Sequence, residues 1–361
     1  MTRPTWMRVN PAALLHNLRR VNASAPQSRV LAMVKANAYG CGIENVVPVL
    51  EGQVDGFGVA ALDEACAIRA LGARTPCVLM GGVFDAEEWR SVNRLDCISM
   101  VHSHEQLALM LQTPLTTPPA SVWVKVNTGM QRLGFLPEDV PGVLAALNAS
   151  SWIAKNPCVI THFARADEPD HGANRQQLAT FATLNAHAGM VSIANSAAIL
   201  SGLGTTADWV RPGIMLYGVS PFSGTTAKDV GLRPVVSLMS AITAIHDIAA
   251  GQPVGYGHAW VASRPSRIGI IPIGYGDGYP RHVGKDASVA VNGQEVPVVG
   301  RVSMDMLTVD LTDSVDVCTG DAVELWGEHM PIERIAHSAG TIGYELLCQL
   351  TDRVRHSRHT G

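Results

Sequence analysis

Short apolar runs alternate with segments of helical spacing over the first two thirds of the chain. The apolar runs cover residues 30–34, 56–60, 76–80, 96–101, 122–126, 157–161, 191–194 and 209–210. Helical spacing is clearest in residues 11–21 and 62–71. Alternating strands and helices favour parallel pairing, because parallel neighbours need a crossover connection between them. This α/β pattern predicts a (β/α)8 barrel of the TIM type, and a doubly wound open sheet also fits it.

The pattern changes after about residue 230, where runs rich in Val and Ile are separated by turn signals. These runs cover residues 235–248, 267–273, 288–291, 296–299, 307–310 and 322–325. The turns between them contain Gly-Gln, Asn-Gly and Gly-Asp, which predicts a mostly antiparallel C-terminal β domain with one late helix at residues 332–339. A segment of small residues lies between the two regions. We therefore expect one domain at residues 1–228 and a second at residues 229–361.

Composition and charge narrow the class of protein. Hydrophobic residues make up 47% of the chain, which is enough for a large core and excludes overall disorder. The formal net charge of −4 argues against a nucleic-acid partner, which attracts a basic excess. The chain contains no apolar run of membrane-spanning length and no secretory h-region at its N-terminus, so we expect no membrane association.

The cysteines and histidines bear on compartment and metal binding. Seven widely spaced cysteines without a CxxC pair are typical of a reducing compartment, and we expect a cytoplasmic protein. His102 and His104 resemble a metal pair, but no third ligand accompanies them, and we expect no metal.

The first candidate functional residue is Lys35, which closes the apolar run VLAMV. In a barrel, functional residues lie at the C-terminal ends of the strands. A lysine in an apolar mouth has a lowered pKa and can form a Schiff base with a carbonyl compound. From this strand alone, a solvated lysine at a strand end is the favoured interpretation, and the later strand ends change that balance.

Later strand ends add polar groups to the same predicted mouth. They carry Lys125, Arg132, His162, Asn195, Ser196, Arg211, Gly213 and Ile214. Barrels often bind phosphate in the loops after their last two strands, and a serine hydroxyl with glycine N–H groups suits that ligand. An amine at one strand end and a phosphate cradle at another together indicate pyridoxal phosphate (PLP).

A series of longer motifs carries a family resemblance. In chain order they are VKANAYG, KVNTGMQRLGF, THFARADE, ANSAA, VRPGIMLYG, GYGHAW, GYGDGYP, GRVSMDM and TIGYELLC, between about residues 31 and 348. This series resembles that of bacterial alanine racemases, which are PLP enzymes of fold type III. The resemblance implies an N-terminal TIM-type barrel, a C-terminal β domain and a head-to-tail homodimer with shared active sites. It also implies an isomerase that interconverts L-alanine and D-alanine, for peptidoglycan synthesis or for alanine catabolism.

The resemblance assigns two acid–base groups on opposite faces of the substrate. Lys35 would hold PLP as a Schiff base and act on one face, and Tyr256 of the partner subunit would act on the other. Racemisation needs two such groups, since one group alone tends to return the proton to the face it came from. A tyrosine needs hydrogen-bond donors beside it to act as a base near neutral pH. The resemblance supplies them as His162, backed by Arg211, which would also face the pyridine nitrogen.

The resemblance assigns binding roles to the remaining residues. The expected phosphate-binding and cofactor-binding set is Tyr39, Asn195, Ser196, Gly213, Ile214 and Tyr344. The expected substrate-carboxylate site is Arg132 with the backbone of Met304. Lys125 matches a family lysine that is often carbamylated and positions the arginine, while Tyr275 and Asp305 match residues near the substrate entrance.

Three alternatives remain from the sequence. They are another type III PLP enzyme (a decarboxylase or a zinc-assisted aldolase or dehydratase), a non-catalytic PLP-binding barrel, and a structural barrel. The pair Lys35 and Tyr256 argues against the first, and the C-terminal β domain argues against the second. Functional residue types at many strand ends argue against the third.

Overall fold

The computed structural model describes residues 3–116, 119–184 and 189–358, and within them eight parallel strands close into a barrel. In chain order these are Arg29–Met33, Gly56–Val59, Cys77–Leu79, Cys97–Val101, Val122–Lys125, Cys158–Ile160, Met190–Asn195 and Trp209–Arg211. Each strand pairs in parallel with the next, and the last pairs with the first. The predicted barrel is therefore confirmed, and the open sheet is excluded because the strands form a closed ring.

Burial on both faces explains why the barrel strands are continuous apolar runs. The strands Gly56–Val59 and Val122–Lys125 are buried at every position, with the barrel interior on one side and the helices on the other. The right-handed helices of the described chain are Pro11–Ser24, Ile43–Leu50, Leu62–Ala70, Ala86–Arg94, His104–Gln112, Val140–Ala149, Gly172–Ala182, Ser196–Ser201, Ile332–Ser338 and Gly343–Cys348. Short 3₁₀ turns lie at Pro137–Asp139, Ile214–Tyr217, Lys228–Val230, Tyr256–His258 and Tyr275–Asp277.

Nine strands of the described chain form a second, mostly antiparallel sheet. Its spatial order is Ala244–Ile248, Ser266–Ile271, Leu307–Asp310, Gln294–Val299, Ser288–Val291, Ala322–Trp326, Val236–Ala241, Trp6–Val9 and Arg355–Arg358. A separate two-stranded hairpin joins Pro253–Val254 to Trp260–Val261. The predicted C-terminal β domain is confirmed, and its helix at Ile332–Ser338 agrees closely with the prediction.

Two features of this sheet differ from the expectation. The segment expected as one strand at residues 235–248 is two strands, because Ile242 and Thr243 bond to Asp321 and Ile270 and redirect the chain. The N-terminal strand Trp6–Val9 also belongs to this sheet, where it pairs with Val236–Ala241. The domain boundary at residues 228/229 stays a prediction.

No helix in residues 3–116, 119–184 and 189–358 combines the length and hydropathy needed to cross a membrane.

A buried carboxylate, Asp277, connects Arg3, near the N-terminus, to Arg353 and, through Arg353, to the loop that contains Asp305. Asp277 is fully buried, and both of its oxygens contact the guanidinium of Arg3. Its Oδ1 also lies 3.3 Å from Nε of Arg353, and its Oδ2 accepts a hydrogen bond from the backbone N–H of Gly274 at 3.0 Å. Arg353 in turn donates to Asp305 at 2.6 Å. The loops of Asp277 and Asp305 are thus held by one charged cluster.

Replacing Asp277 by Ala should lower the free energy of unfolding by about 3 kcal/mol, because two guanidinium groups lose a buried carboxylate. Urea unfolding of both proteins measures this difference. The matched control is Asp313→Ala, since Asp313 pairs with Arg264 while 81% exposed. That exposed pair should contribute about 0–1 kcal/mol. Equal losses in the two variants would contradict a structural role for the buried cluster.

Candidate active site

The mouth of the barrel, where the strands end, opens into a cavity of about 470 Å³. Most of the residues predicted from strand ends or from the family resemblance line it, namely Lys35, Tyr39, Lys125, Arg132, His162, Asn195, Ser196, Arg211, Gly213, Ile214 and Tyr344. The structure adds lining residues that the sequence analysis missed: Met33, Ala36, Ala60, Met80, Gly81, Leu133 and Cys348. These residues line the cavity with apolar side chains or with backbone atoms. Only their positions, near a strand end or beside a motif residue, could have identified them from the sequence.

Lys35 follows the first barrel strand, and its side chain is open to the cavity. The protein atoms around its amine remove part of its hydration and lower the pKa of Lys35, and the charge of Arg132 lowers this pKa further. A lowered pKa increases the fraction of neutral amine near neutral pH. The neutral amine is the form that attacks a carbonyl or removes a proton.

The four residues after Lys35 form a left-handed turn. Residues 36–39 all have φ between 52° and 54°, although none of them is glycine. Each such residue costs roughly 1–2 kcal/mol relative to the right-handed conformation. Gly40 ends the turn at φ 77°, where a Cβ would lie 2.1 Å from the carbonyl oxygen of Leu347. The turn directs Tyr39 inward, where its ring stacks on Tyr217 at 4.7 Å.

Hydroxyl and backbone groups converge opposite this turn. The hydroxyl of Ser196 accepts hydrogen bonds from the backbone N–H groups of Gly213 at 2.8 Å and Met215 at 3.3 Å. The Oδ1 of Asn195 caps the helix Ser196–Ser201 by accepting from Ala198 N at 3.1 Å. A Cβ on Gly213 would lie 2.4 Å from the Tyr39 hydroxyl, so only glycine allows this close approach.

The tyrosine hydroxyls at this cradle are neutral donors. Burial raises the pKa of Tyr39, and it raises the pKa of Tyr344 to about 12. The two rings lie 6.2 Å apart. Protonated hydroxyls, a serine and backbone N–H groups form a donor set that suits phosphate.

A buried arginine and a half-buried histidine form the wall beside the last strand. Arg211 is buried, and its guanidinium donates to Ser192 Oγ at 2.7 Å and to the carbonyl oxygens of Thr161 at 2.7 Å and Ile193 at 3.1 Å. Burial lowers the pKa of Arg211 to about 10, which leaves it a cation at neutral pH.

His162 completes this pair, with its Nδ1 3.2 Å from the guanidinium of Arg211. Burial and the charge of Arg211 hold the pKa of His162 well below its ordinary value, so the ring is neutral. Because the guanidinium donates to Nδ1 and this contact is closer than the 3.5 Å between Nε2 and Asn195 Nδ2, we infer that the one ring proton lies on Nε2. The ring can then donate a hydrogen bond from Nε2.

Lys125 adds another cation to the cavity wall. Its side chain is buried, and its pKa is lowered to about 8. Burial is the largest cause of this shift, and the positive charges of Arg132, Arg211 and Lys35 add to it. Positive charge is thus concentrated around the cavity. This distribution favours a ligand that carries several negative charges.

The other predicted residues lie elsewhere in the same chain. Tyr256 lies in the turn of the separate two-stranded hairpin, and Met304, Tyr275 and Asp305 lie in loops between strands of the second sheet. None of the four lines the cavity. The side chain of Tyr256 is 70% exposed and that of Met304 is 53% exposed. The loops of Tyr275 and Met304 are joined, because Tyr275 N donates to Ser303 O at 3.0 Å and Gly276 N to Met304 O at 2.8 Å. One chain therefore presents these groups outward, away from its own cavity.

Comparisons with known proteins agree with this architecture. Family models described as the alanine racemase N-terminal domain and the alanine racemase C-terminal domain match residues 9–221 and 235–358. The chain belongs to the alanine racemase family. Membership confirms the resemblance inferred from the motifs, and with it the expected class of enzyme, a PLP-dependent isomerase. The alternatives outside this family are thereby excluded.

Full-length relatives support the assignment to the family. The chain is 54% identical over 357 residues to the alanine racemase of Legionella pneumophila (strain Lens), covering 99% of this chain and 100% of the relative. It is 45% identical over 348 residues to the protein named alanine racemase, biosynthetic, of Escherichia coli O6:H1, covering 96% of each. The crystal structure of biosynthetic alanine racemase from Pseudomonas aeruginosa matches with a TM-score of 0.95, 41% identity and 99% coverage of each chain.

Gly213→Ala should weaken PLP binding about tenfold, because its Cβ would displace the Tyr39 hydroxyl from the cradle. Fluorescence titration of the apo-protein with PLP gives the affinity. Gly142→Ala is the matched control, since a Cβ at that helical position meets nothing within 4 Å. Wild-type affinity in a folded Gly213→Ala protein would show that the close approach is not needed.

Proposed function

We propose that this chain interconverts L-alanine and D-alanine with PLP as its cofactor and acts as a head-to-tail homodimer. The observation that supports this most strongly is the meeting, in one barrel mouth, of the Lys35 amine, the cradle around Ser196 and the cationic wall around Arg211. The mouth belongs to a chain of the alanine racemase family, and its size and charge suit a small anionic cofactor with an amino acid.

The residues present fit PLP. Lys35 would hold the aldehyde carbon through its Nζ, and Arg211 would face the ring nitrogen. The phosphate would lie against Tyr39, Ser196, Tyr344 and the backbone N–H groups of Gly213 and Ile214. The close approach of the Tyr39 hydroxyl to Gly213 is the clearest sign of this fit, since a Cβ at Gly213 would lie 2.4 Å from that hydroxyl and would displace it from the cradle. When bound, PLP withdraws electrons from the α-carbon of an amino acid and so makes its α-proton removable.

Arg211 would limit how far this electron withdrawal goes. Its pKa of about 10 keeps its protons in place at neutral pH, and its hydrogen bonds to Ser192, Thr161 and Ile193 fix its position. A nitrogen facing it would accept a hydrogen bond without gaining a proton. We propose that this weaker withdrawal favours proton return over side reactions.

Two groups would move the α-proton from opposite faces. The neutral amine of Lys35 would take or give a proton on one face, and Tyr256 of the partner subunit would do so on the other. We propose that His162 donates its Nε2–H to the Tyr256 oxygen and so stabilises the phenolate. Arg132 would bind the substrate carboxylate together with the backbone of Met304 of the partner subunit, with Lys125 positioning Arg132. Tyr275 and Asp305 would border the substrate entrance.

The outward position of these loops supports the proposed homodimer. Tyr256 in the hairpin turn and Met304 in a loop of the second sheet are both exposed, whereas Lys35 lies in the barrel mouth of the same chain. A head-to-tail pair would bring the second sheet of one copy over the mouth of the other.

The physiological role that we propose is the supply of D-alanine for peptidoglycan in the cytoplasm. The relatives from Escherichia coli and Pseudomonas aeruginosa are both named biosynthetic. All seven cysteines of this chain are free, as expected in a reducing compartment.

The activity can be tested by proton NMR in deuterated buffer. PLP-loaded protein given L-alanine should remove the α-proton signal while D-alanine accumulates, because the two groups exchange protons with solvent on both faces. L-Serine and L-lysine, supplied separately, should react more slowly. Exchange without the D-enantiomer would contradict the two-sided mechanism, and no exchange with any of them would contradict the racemase assignment.

Shared sites can be tested by mixing two inactive variants. Lys35→Ala and Tyr256→Phe chains should regain about a quarter of wild-type activity, because half of the dimers would be mixed and each would hold one intact site. The control mixes Lys35→Ala with the Lys35→Ala/Tyr256→Phe double variant, a pair in which no site has both groups. Native mass spectrometry verifies that mixed dimers form. Mixed dimers without activity would overturn the exchange of Tyr256 between subunits.

A further inference from the structure

We propose that Glu64 is a positioning residue that clamps the left-handed turn after Lys35 to the neighbouring barrel strand. In this role it sets the places of the Lys35 amine and the Tyr39 hydroxyl. The inference rests on the proposed function, because it concerns how the same site holds PLP.

The carboxylate of Glu64 bridges two strand ends. Glu64 lies in the first turn of the helix Leu62–Ala70. Its Oε1 accepts a hydrogen bond from Ala36 N at 2.7 Å, and its Oε2 accepts one from Ala60 N at 2.6 Å. Ala36 directly follows Lys35, and Ala60 follows the strand Gly56–Val59. Both alanines line the cavity, so one side chain fixes the backbone on two adjacent sides of the mouth.

The turn needs support from outside because its conformation is costly. Residues 36–39 all have positive φ without glycine. Hydrogen bonds such as Gly40 N to Ala36 O and Gly42 N to Asn37 O close the turn on itself, and these would also form if the turn shifted as a unit. The bond from Ala36 N to Glu64 instead fixes the start of the turn relative to the next strand. A shift here moves the Lys35 side chain directly and the Tyr39 hydroxyl three residues later.

Glu64 also acts on Lys35 through its charge. Burial is the main cause that lowers the pKa of Lys35, and the cation Arg132 adds to it. Glu64 and Cys348 act in the opposite direction and raise the pKa of Lys35. Lys125 faces the same cavity, and Lys35 lowers its pKa. Glu64 is therefore a carboxylate beside a group of cations, and its charge offsets part of their effect on the amine.

Three variants separate the clamp from its charge. Glu64→Gln keeps the size of the side chain and one acceptor oxygen, but its NH2 would face a backbone N–H and its charge is lost. Glu64→Asp keeps the charge, but its side chain is shorter by one methylene and cannot span both N–H groups. Asp63→Asn is the matched control, since it removes one negative charge from the exposed neighbouring position in the same helical turn.

The first measurement is PLP affinity, from fluorescence titration of the full-length apo-protein. Glu64→Gln and Glu64→Asp should each bind PLP about tenfold more weakly, the factor expected when a charge-assisted hydrogen bond is lost. Asp63→Asn should bind as the wild type does. Circular dichroism and the urea midpoint verify that each variant is folded.

The second measurement is the pH dependence of Lys35 reactivity in the same apo-proteins. The protein is acetylated briefly with acetic anhydride at a series of pH values, and the Lys35 peptide is quantified by mass spectrometry. Loss of the Glu64 charge makes the ammonium form less stable, so the midpoint for Glu64→Gln should move to lower pH. Glu64→Asp and Asp63→Asn should stay near the wild type. A merely structural defect would not separate Gln from Asp in this way.

Two results would overturn the inference. One is a folded Glu64→Gln protein with wild-type affinity and midpoint. The other is a folded Glu64→Asp protein with wild-type affinity, which also decides the question if the Gln variant does not fold. Failure of the proposed racemase activity is distinguishable, because the wild type would then show no α-proton exchange while these two apo-protein measurements remain informative.

Discussion

The concentration of positive charge at the barrel mouth is the constraint on which the rest of the site depends. Lys125 and Arg211 are buried, and burial lowers the pKa of both side chains. Burying a cation without a counter-ion is unfavourable. For Arg211, hydrogen bonds to carbonyl and hydroxyl oxygens offset part of this cost. The uncompensated charge is then available to an anionic ligand. Burial, with the positive charges of Arg211 and Arg132 adding to it, keeps His162 neutral, and burial with the charge of Arg132 lowers the pKa of Lys35.

The closed barrel can concentrate this positive charge because it brings residues that are far apart in the chain to one edge of the sheet. Lys35 follows the first barrel strand and Arg211 ends the last, and closure of the ring makes those two strands neighbours. The cradle at Ser196 and Gly213 adjoins the same seam and faces the left-handed turn through Tyr39. The amine and the phosphate donors are therefore held on two sides of a single junction. Small movements of the turn would change both together.

Much of the barrel could be predicted from the sequence because parallel strands buried on both faces are uninterrupted apolar runs. The strands Ser288–Val291 and Leu307–Asp310 in the second sheet also have the predicted bounds. Strand Trp6–Val9 could not be assigned, since its partner Val236–Ala241 lies more than 200 residues away. The division of residues 235–248 depends on bonds to Asp321 and Ile270, which local pattern does not record.

Prediction of the site has the same limit, because features that depend on contacts between distant parts of the chain leave no local pattern. Lys35 and Ser196 could be located because polar groups that end apolar strands are conspicuous, whereas the positive φ of Ala36 and Tyr39 has no signal in their residue types. Glu64 is similarly hidden, because an acidic residue in the first turn of a helix is common and needs no functional cause. Its contacts depend on the side-by-side placement of two strand ends, which only closure of the barrel produces. Chemistry carried by a side chain's type can thus be inferred from sequence, while chemistry carried by backbone geometry requires the fold.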